Sequence, residues 1–149
     1  MATDARPSVR LTQQRDYQFA VDFGAGITPL QADEPPPLGS GQGPSPEQLL
    51  AAAVGNCLSA SLLFALRKFK QQPEPIGCQV EAQVGRNAEG RLRVLSLKAR
   101  LTLGVAAGSL EHLDRVLGSF ESYCTVTQSV SAAIPVEVAV FDAQGARLK

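Results

Sequence analysis

The sequence is poor in the residues that metal centres and most acid–base machinery require. Its 149 residues contain one histidine, His112, placed beside Glu111 near the start of an amphipathic segment. There is no Cys-x-x-Cys and no histidine pair, so a structural zinc lacks ligands at the usual spacings, and neither a metal nor another cofactor is expected. A cysteine-protease arrangement would need His112 as its base, but its setting in "SLEHLDRVLGSFES" reads as a solvent-side position. An excess of charge of either sign is also lacking. Fourteen basic residues balance fourteen acidic ones, so no whole-molecule field draws the chain to nucleic acid or anionic lipid. Cysteine is sparse and odd in number, at three, and "MATDARPSVR" has no apolar core of a signal peptide. The compartment reads as cytoplasmic and reducing, and the length suits a single domain over residues 1–149.

What the chain does have is one long apolar run. Residues 49–66 form eighteen consecutive uncharged positions with Cys57 near their middle. The length reaches the lower limit for crossing a bilayer, but five alanines, two serines, Gly55 and Asn56 dilute six leucines. A helix apolar all round is also what the centre of a water-soluble protein needs, and that is the reading adopted, with no membrane partner. Few other elements are available to cover such a helix in a chain of this length, so a homodimer is expected.

The helix start is marked by Ser45 as cap, Pro46 at the first helical position and Gln48 completing a Ser-x-x-Gln box, with the end near Lys70, before Pro73 and Pro75. Upstream, Tyr17, Phe19, Val21 and Phe23 alternate with polar residues as a half-buried strand, paired with residues 9–13 as a hairpin. Between them and the helix, "GAGITPLQADEPPPLGSGQGPSP" reads as a long loop. Downstream, Cys78, Val80, Ala82 and Val84 alternate, and "RLRVLSLKARLTLGV" returns with Leu95, Leu97, Ala99, Leu101 and Leu103 inward. Residues 109–122 carry Leu110, Leu113, Val116, Leu117 and Phe120 on one helical face capped by Ser109, a short helix follows from "YCTVTQSVSA", and "IPVEVAVFD" closes as a strand. The order ββ-α-ββ-α-α-β lacks a βαβαβ rhythm and indicates an α+β fold with an antiparallel sheet.

Two of the cysteines could carry chemistry. Cys57 shares a helical face with Leu50, Ala53, Val54, Ser61 and Phe64, and simple packing accounts for it as well as reactivity does. It lies twelve positions past the cap of its own helix, beyond the reach of that macrodipole. An unperturbed thiol is only about 3% thiolate at pH 7, so a reactive Cys57 calls for a guanidinium nearby, with no histidine or helix terminus in view to replace it. Cys124 opens the last short helix. Cys78, on the inward face of a strand, reads as core.

The segments "GPSPEQLLAAAVGNCLSASL" and "YCTVTQSV" resemble two motifs of the OsmC/Ohr family, the osmotically inducible and organic hydroperoxide resistance proteins: the segment leading to a helix cysteine, and a second cysteine at a helix start about 65 residues on. The resemblance covers nearly the whole chain. It implies antiparallel sheets wrapped around long central helices in an intertwined homodimer, and a thiol peroxidase acting on organic hydroperoxides at the expense of a dithiol reductant. Cys57 matches the peroxidatic cysteine, Cys124 the resolving one, and Glu47 the glutamate that orients an activating arginine. "TQQRDY" matches the Gly-Gly-Arg-Asp of the hydroperoxide-resistance branch, with glutamines in place of the glycines, and so assigns the arginine to Arg15; Arg6 or Arg10 of a partner chain are the alternatives. Two other readings remain: a redox-sensing or small-ligand-binding dimer of the same fold without turnover, and a purely structural dimer in which Cys57 is packing.

Overall fold

The computed structural model describes residues 4–149, which fold as two compact units that meet in sequence at Leu49 and Leu50. In the first, β1 (Arg10–Arg15) and β2 (Gln18–Asp22) form the expected antiparallel hairpin, with Arg10 opposite Asp22 and a register shift between Gln13 and Arg15. A third strand, β3 (Leu30–Ala32), adds antiparallel to β2 inside the stretch read as loop. Asp33 orders the rest of that loop. Nearly fully buried, its carboxylate accepts the backbone N–H groups of Glu34 (2.8 Å), Gln42 (3.0 Å) and Ser40 (3.3 Å) and the Ser40 hydroxyl (2.8 Å). Four donors in one place allow a segment with three consecutive prolines to hold a fixed course without regular structure.

Helix α1 (Pro46–Lys68) begins with the capping box read from the sequence. The Ser45 hydroxyl accepts the Gln48 N–H at 3.3 Å, and the Gln48 side chain accepts the Ser45 N–H at 2.9 Å. Along the helix, Ala51, Val54, Gly55, Leu58, Leu62 and Leu66 are buried. Ala52, Ala53, Asn56, Ala60 and Phe64 are exposed, Phe64 at 68%. The apolar run is thus buried along one side and bare along the other.

In the second unit, β4 (Gly77–Arg86), β5 (Leu92–Thr102) and β6 (Val136–Phe141) form a sheet in the order β4-β5-β6. β4 and β5 are antiparallel, as expected; β6 corrects that expectation, because it runs parallel to β5 with Leu97 opposite Val136. The reason is the connection, which passes through α2 (Leu113–Ser119) and α3 (Thr125–Ser131) and so returns the chain to the end where β5 began. The core joins Leu58, Leu62 and Leu66 of α1 to Leu97 and Leu101 of β5, Val116 and Phe120 around α2, and Val140 of β6. At Gly55 a Cβ would lie 2.8 Å from Cγ2 of Val80, so the missing side chain is what lets α1 approach β4. The described residues form an α+β fold with two small sheets and three α-helices.

Three local expectations change. Leu95 is not inward but 38% exposed, because the β4–β5 register shifts between Gln83 and Val84 and turns Leu95 over Gly85. Ser109 does not cap a long helix: its hydroxyl donates to the Ala106 carbonyl within a 3-10 turn (Ala107–Ser109), and α2 starts after His112, whose φ of 58° is left-handed. Cys78 belongs to an exposed part of β4 rather than to the core.

Candidate functional site

α1 and α3 bring two thiols together. Cys57, the twelfth residue of α1, is half-buried, and Cys124 at the head of α3 is fully buried; both are free. Cys124 has φ −83° and ψ 96°, the extended backbone of a helix cap, and its carbonyl accepts the first helical bond from Gln128 N–H at 2.9 Å. Its side chain therefore points off the start of α3. The thiol donates to Oγ1 of Thr127 at 2.9 Å, and Thr127 is itself buried.

The two sulfurs are held differently. Burial is the largest single influence on Cys57 and opposes its ionisation. The adjacent Cys124 thiol, the backbone N–H groups of Val126 and Thr127 and the Ser61 hydroxyl oppose that effect, and together they hold Cys57 below its ordinary value. Cys124 goes the other way. Burial pushes it up, the adjacent Cys57 adds to the rise, and hydrogen bonds from Thr127 oppose it only in part. One proton shared between the pair is thus drawn to Cys124 rather than to Cys57.

Groups beyond the expected guanidinium also act on Cys57. Cys57 is indeed too far along α1 to feel that helix's own terminus, but the first turn of α3 is aimed at it, so a helix terminus is available after all. Backbone amides carry no side-chain signature, so nothing in the residue types at 126 and 127 marks them. Ser61, four residues after Cys57, was legible as a neighbour on the same face.

Arg15 and Glu47 both lie in the first unit. Arg15 closes β1 with its side chain 81% exposed and its Nε 3.6 Å from Asp16. Glu47 is half-buried in the first turn of α1. Among the described residues no ion pair joins the two. Arg6 and Arg10 are exposed. Cys78 stands apart from the thiol pair: its sulfur lies against Gly55 and is pushed up by burial, an effect that the nearby Ser59 opposes only in part. His112 is exposed, as read, and stacks on Phe69 with ring centroids 4.8 Å apart. Among the described residues no group of three or more His, Cys, Asp or Glu side chains could hold a metal ion.

No curated protein matches the sequence. Solved structures share its fold at low identity. An OsmC-like protein of unknown function from Vibrio cholerae is 18% identical, with a TM-score of 0.78 over 93% of this chain and 100% of that one. The organic hydroperoxide resistance protein of Elizabethkingia anophelis is 15% identical, with a TM-score of 0.71 over 93% and 98%. The organic hydroperoxide resistance protein OhrB of Bacillus subtilis is 13% identical, with a TM-score of 0.68 over 89% and 97%. The profile of the OsmC-like protein family matches residues 39–139, the stretch that contains α1, both thiols, β4, β5 and the first part of β6. The chain belongs to the OsmC-like family.

Proposed function

We propose that the protein is a thiol peroxidase for organic hydroperoxides. The observation that carries this reading is the unequal pair of free thiols, with Cys57 favoured as thiolate and Cys124 as thiol in contact with it. The Cys57 thiolate attacks the distal oxygen of the hydroperoxide, the O–O bond breaks, and protonation of the leaving alkoxide releases an alcohol, with Cys57 left as sulfenic acid. Cys124 then attacks the Cys57 sulfur; its proton and the sulfenic hydroxyl leave as water, and a Cys57–Cys124 disulfide remains. A dithiol reductant restores both thiols by exchange, becoming a disulfide itself. Arg15 is assigned the guanidinium that steadies thiolate and alkoxide, and Glu47 the carboxylate that orients it; both assignments rest on the motif resemblance. A second copy of the chain is assigned to the bare apolar side of α1, around Ala60 and Phe64. The hydroperoxide resistance proteins among the fold relatives are in keeping with this chemistry.

The test is the reaction of the reduced protein with excess cumene hydroperoxide. The expected result is rapid Cys57 oxidation ending in the disulfide, abolished in Cys57→Ser and nearly intact in Cys78→Ala, followed by mass spectrometry. An inert Cys57 would reject the peroxidase reading in favour of a sensing or structural dimer, and loss of activity in a folded Cys78→Ala variant would mean a different reactive pair.

A further inference from the structure

The second step of such a cycle asks something of Cys124 that its surroundings resist. It is fully buried, burial opposes its ionisation, and it must nevertheless give up a proton to attack Cys57. Among the described residues its S–H is accepted by Oγ1 of Thr127, at 2.9 Å, and Thr127 is only 3% exposed, so bulk water does not stand in for it. A hydroxyl is both acceptor and donor. It can hold the thiol proton while Cys124 waits and turn its own O–H toward the sulfur as negative charge develops there. Its place is fixed by α3, whose third residue it is, so the same turn that presents backbone N–H groups to Cys57 sets the Thr127 hydroxyl against Cys124.

We propose that Thr127 is a positioning residue for the resolving step, holding Cys124 in the rotamer from which it attacks Cys57 and stabilising its sulfur as the proton leaves. The inference deepens the reading of Cys57 and Cys124 as a redox pair and rests on that pairing, though not on a hydroperoxide as the oxidant. In the disulfide-forming step the S–H bond of Cys124 breaks, a Cys57–Cys124 bond forms, and the group leaving Cys57 takes the electron pair. The titratable groups that face each other there are the two thiols, one from α1 and one at the head of α3.

The test uses a leaving group that can be seen. In a Cys78→Ala background, Cys57 is converted to its mixed disulfide with thionitrobenzoate, and release of the coloured thiolate as Cys124 closes the disulfide is followed from pH 6 to 10. Thr127→Val keeps the shape and the backbone N–H but removes the hydroxyl; Thr127→Ser keeps the hydroxyl. Loss of one hydrogen bond to a developing thiolate is expected to slow release about tenfold at pH 7 and move the pH midpoint upward, with Thr127→Ser within about threefold of the parent rate. A merely structural defect would lower the rate at every pH without moving the midpoint. An unmoved midpoint in Thr127→Val, or a Thr127→Ser protein no faster than Thr127→Val, overturns the proposal. Because no hydroperoxide is involved, a protein inert to cumene hydroperoxide yet showing the shifted midpoint would reject the peroxidase reading and leave the role of Thr127 standing.

Discussion

At the scale of single residues, the three cysteines share a functional group and differ in everything around it. Cys57 faces four polar groups that together outweigh its burial; Cys124 is buried with its thiol donating to a threonine; the Cys78 sulfur lies against α1 with one serine beside it. The sign of each shift fixes an order of titration. A lowered thiol is ionised above its depressed value and loses reactivity only as pH falls through it, whereas a raised thiol stays protonated until pH exceeds its elevated value. Alkylation by iodoacetamide across pH 5–10, read peptide by peptide, should therefore give Cys57 a midpoint below the ordinary thiol value of about 8.5 and Cys78 one above it. A reversed order would mean that the amides of α3 do not act on Cys57.

At the scale of elements, the segments that looked least structured are ordered by single polar side chains. Asp33 gathers Glu34, Ser40 and Gln42, and backbone donation from Gln42 is the largest of the influences that keep its carboxyl below the usual range. A carboxyl depressed by folding stabilises the folded form above its ordinary value of about 3.9 and loses that contribution as pH falls from there through the depressed value. Asp33→Ala should thus abolish the slow amide exchange of Gln42 and Ser40 at neutral pH, and the unaltered protein should lose it only under acid conditions. Exchange at those amides that is equally slow in the variant would show that the loop is held by something else. Asp142 uses the same device at the end of β6, accepting the N–H groups of Ala107 at 3.0 Å and of Gln144 and Ala146 at 2.9 Å each.

At the scale of the whole molecule, the bare side of α1 is the feature that a single copy of the chain leaves unexplained. Helix α1 is long and apolar enough to cross a membrane by length and composition, yet its other side contributes Leu58, Leu62 and Leu66 to a core built with a sheet. An exposed Phe64 among alanines is an unfavourable surface in water unless something covers it. Sedimentation at low micromolar concentration should show a dimer, and Phe64→Glu should shift it to a monomer, since placing two carboxylates in an apolar interface costs several kcal/mol. A folded monomer of the unaltered chain would remove the second copy from the proposal.

Much of this was legible from local chemistry alone. Periodicity and caps located α1, the β1–β2 hairpin and the β4–β5 pair, because those elements are specified by neighbours within a few residues: Ser45 with Gln48, and apolar residues on alternate positions. The identity of the two chemically interesting thiols was also available, through the motifs around Cys57 and Cys124. What the sequence could not decide was set by contacts across long separations. The parallel course of β6 depends on where two helices leave the chain after β5, and the exposure of Leu95 depends on a register shift that alternation does not encode. The lowering of the Cys57 thiol is the clearest case: two of the groups that act on it are amides some seventy residues away, of a kind that every residue but proline carries, so no side-chain pattern announces them until α3 is packed against α1.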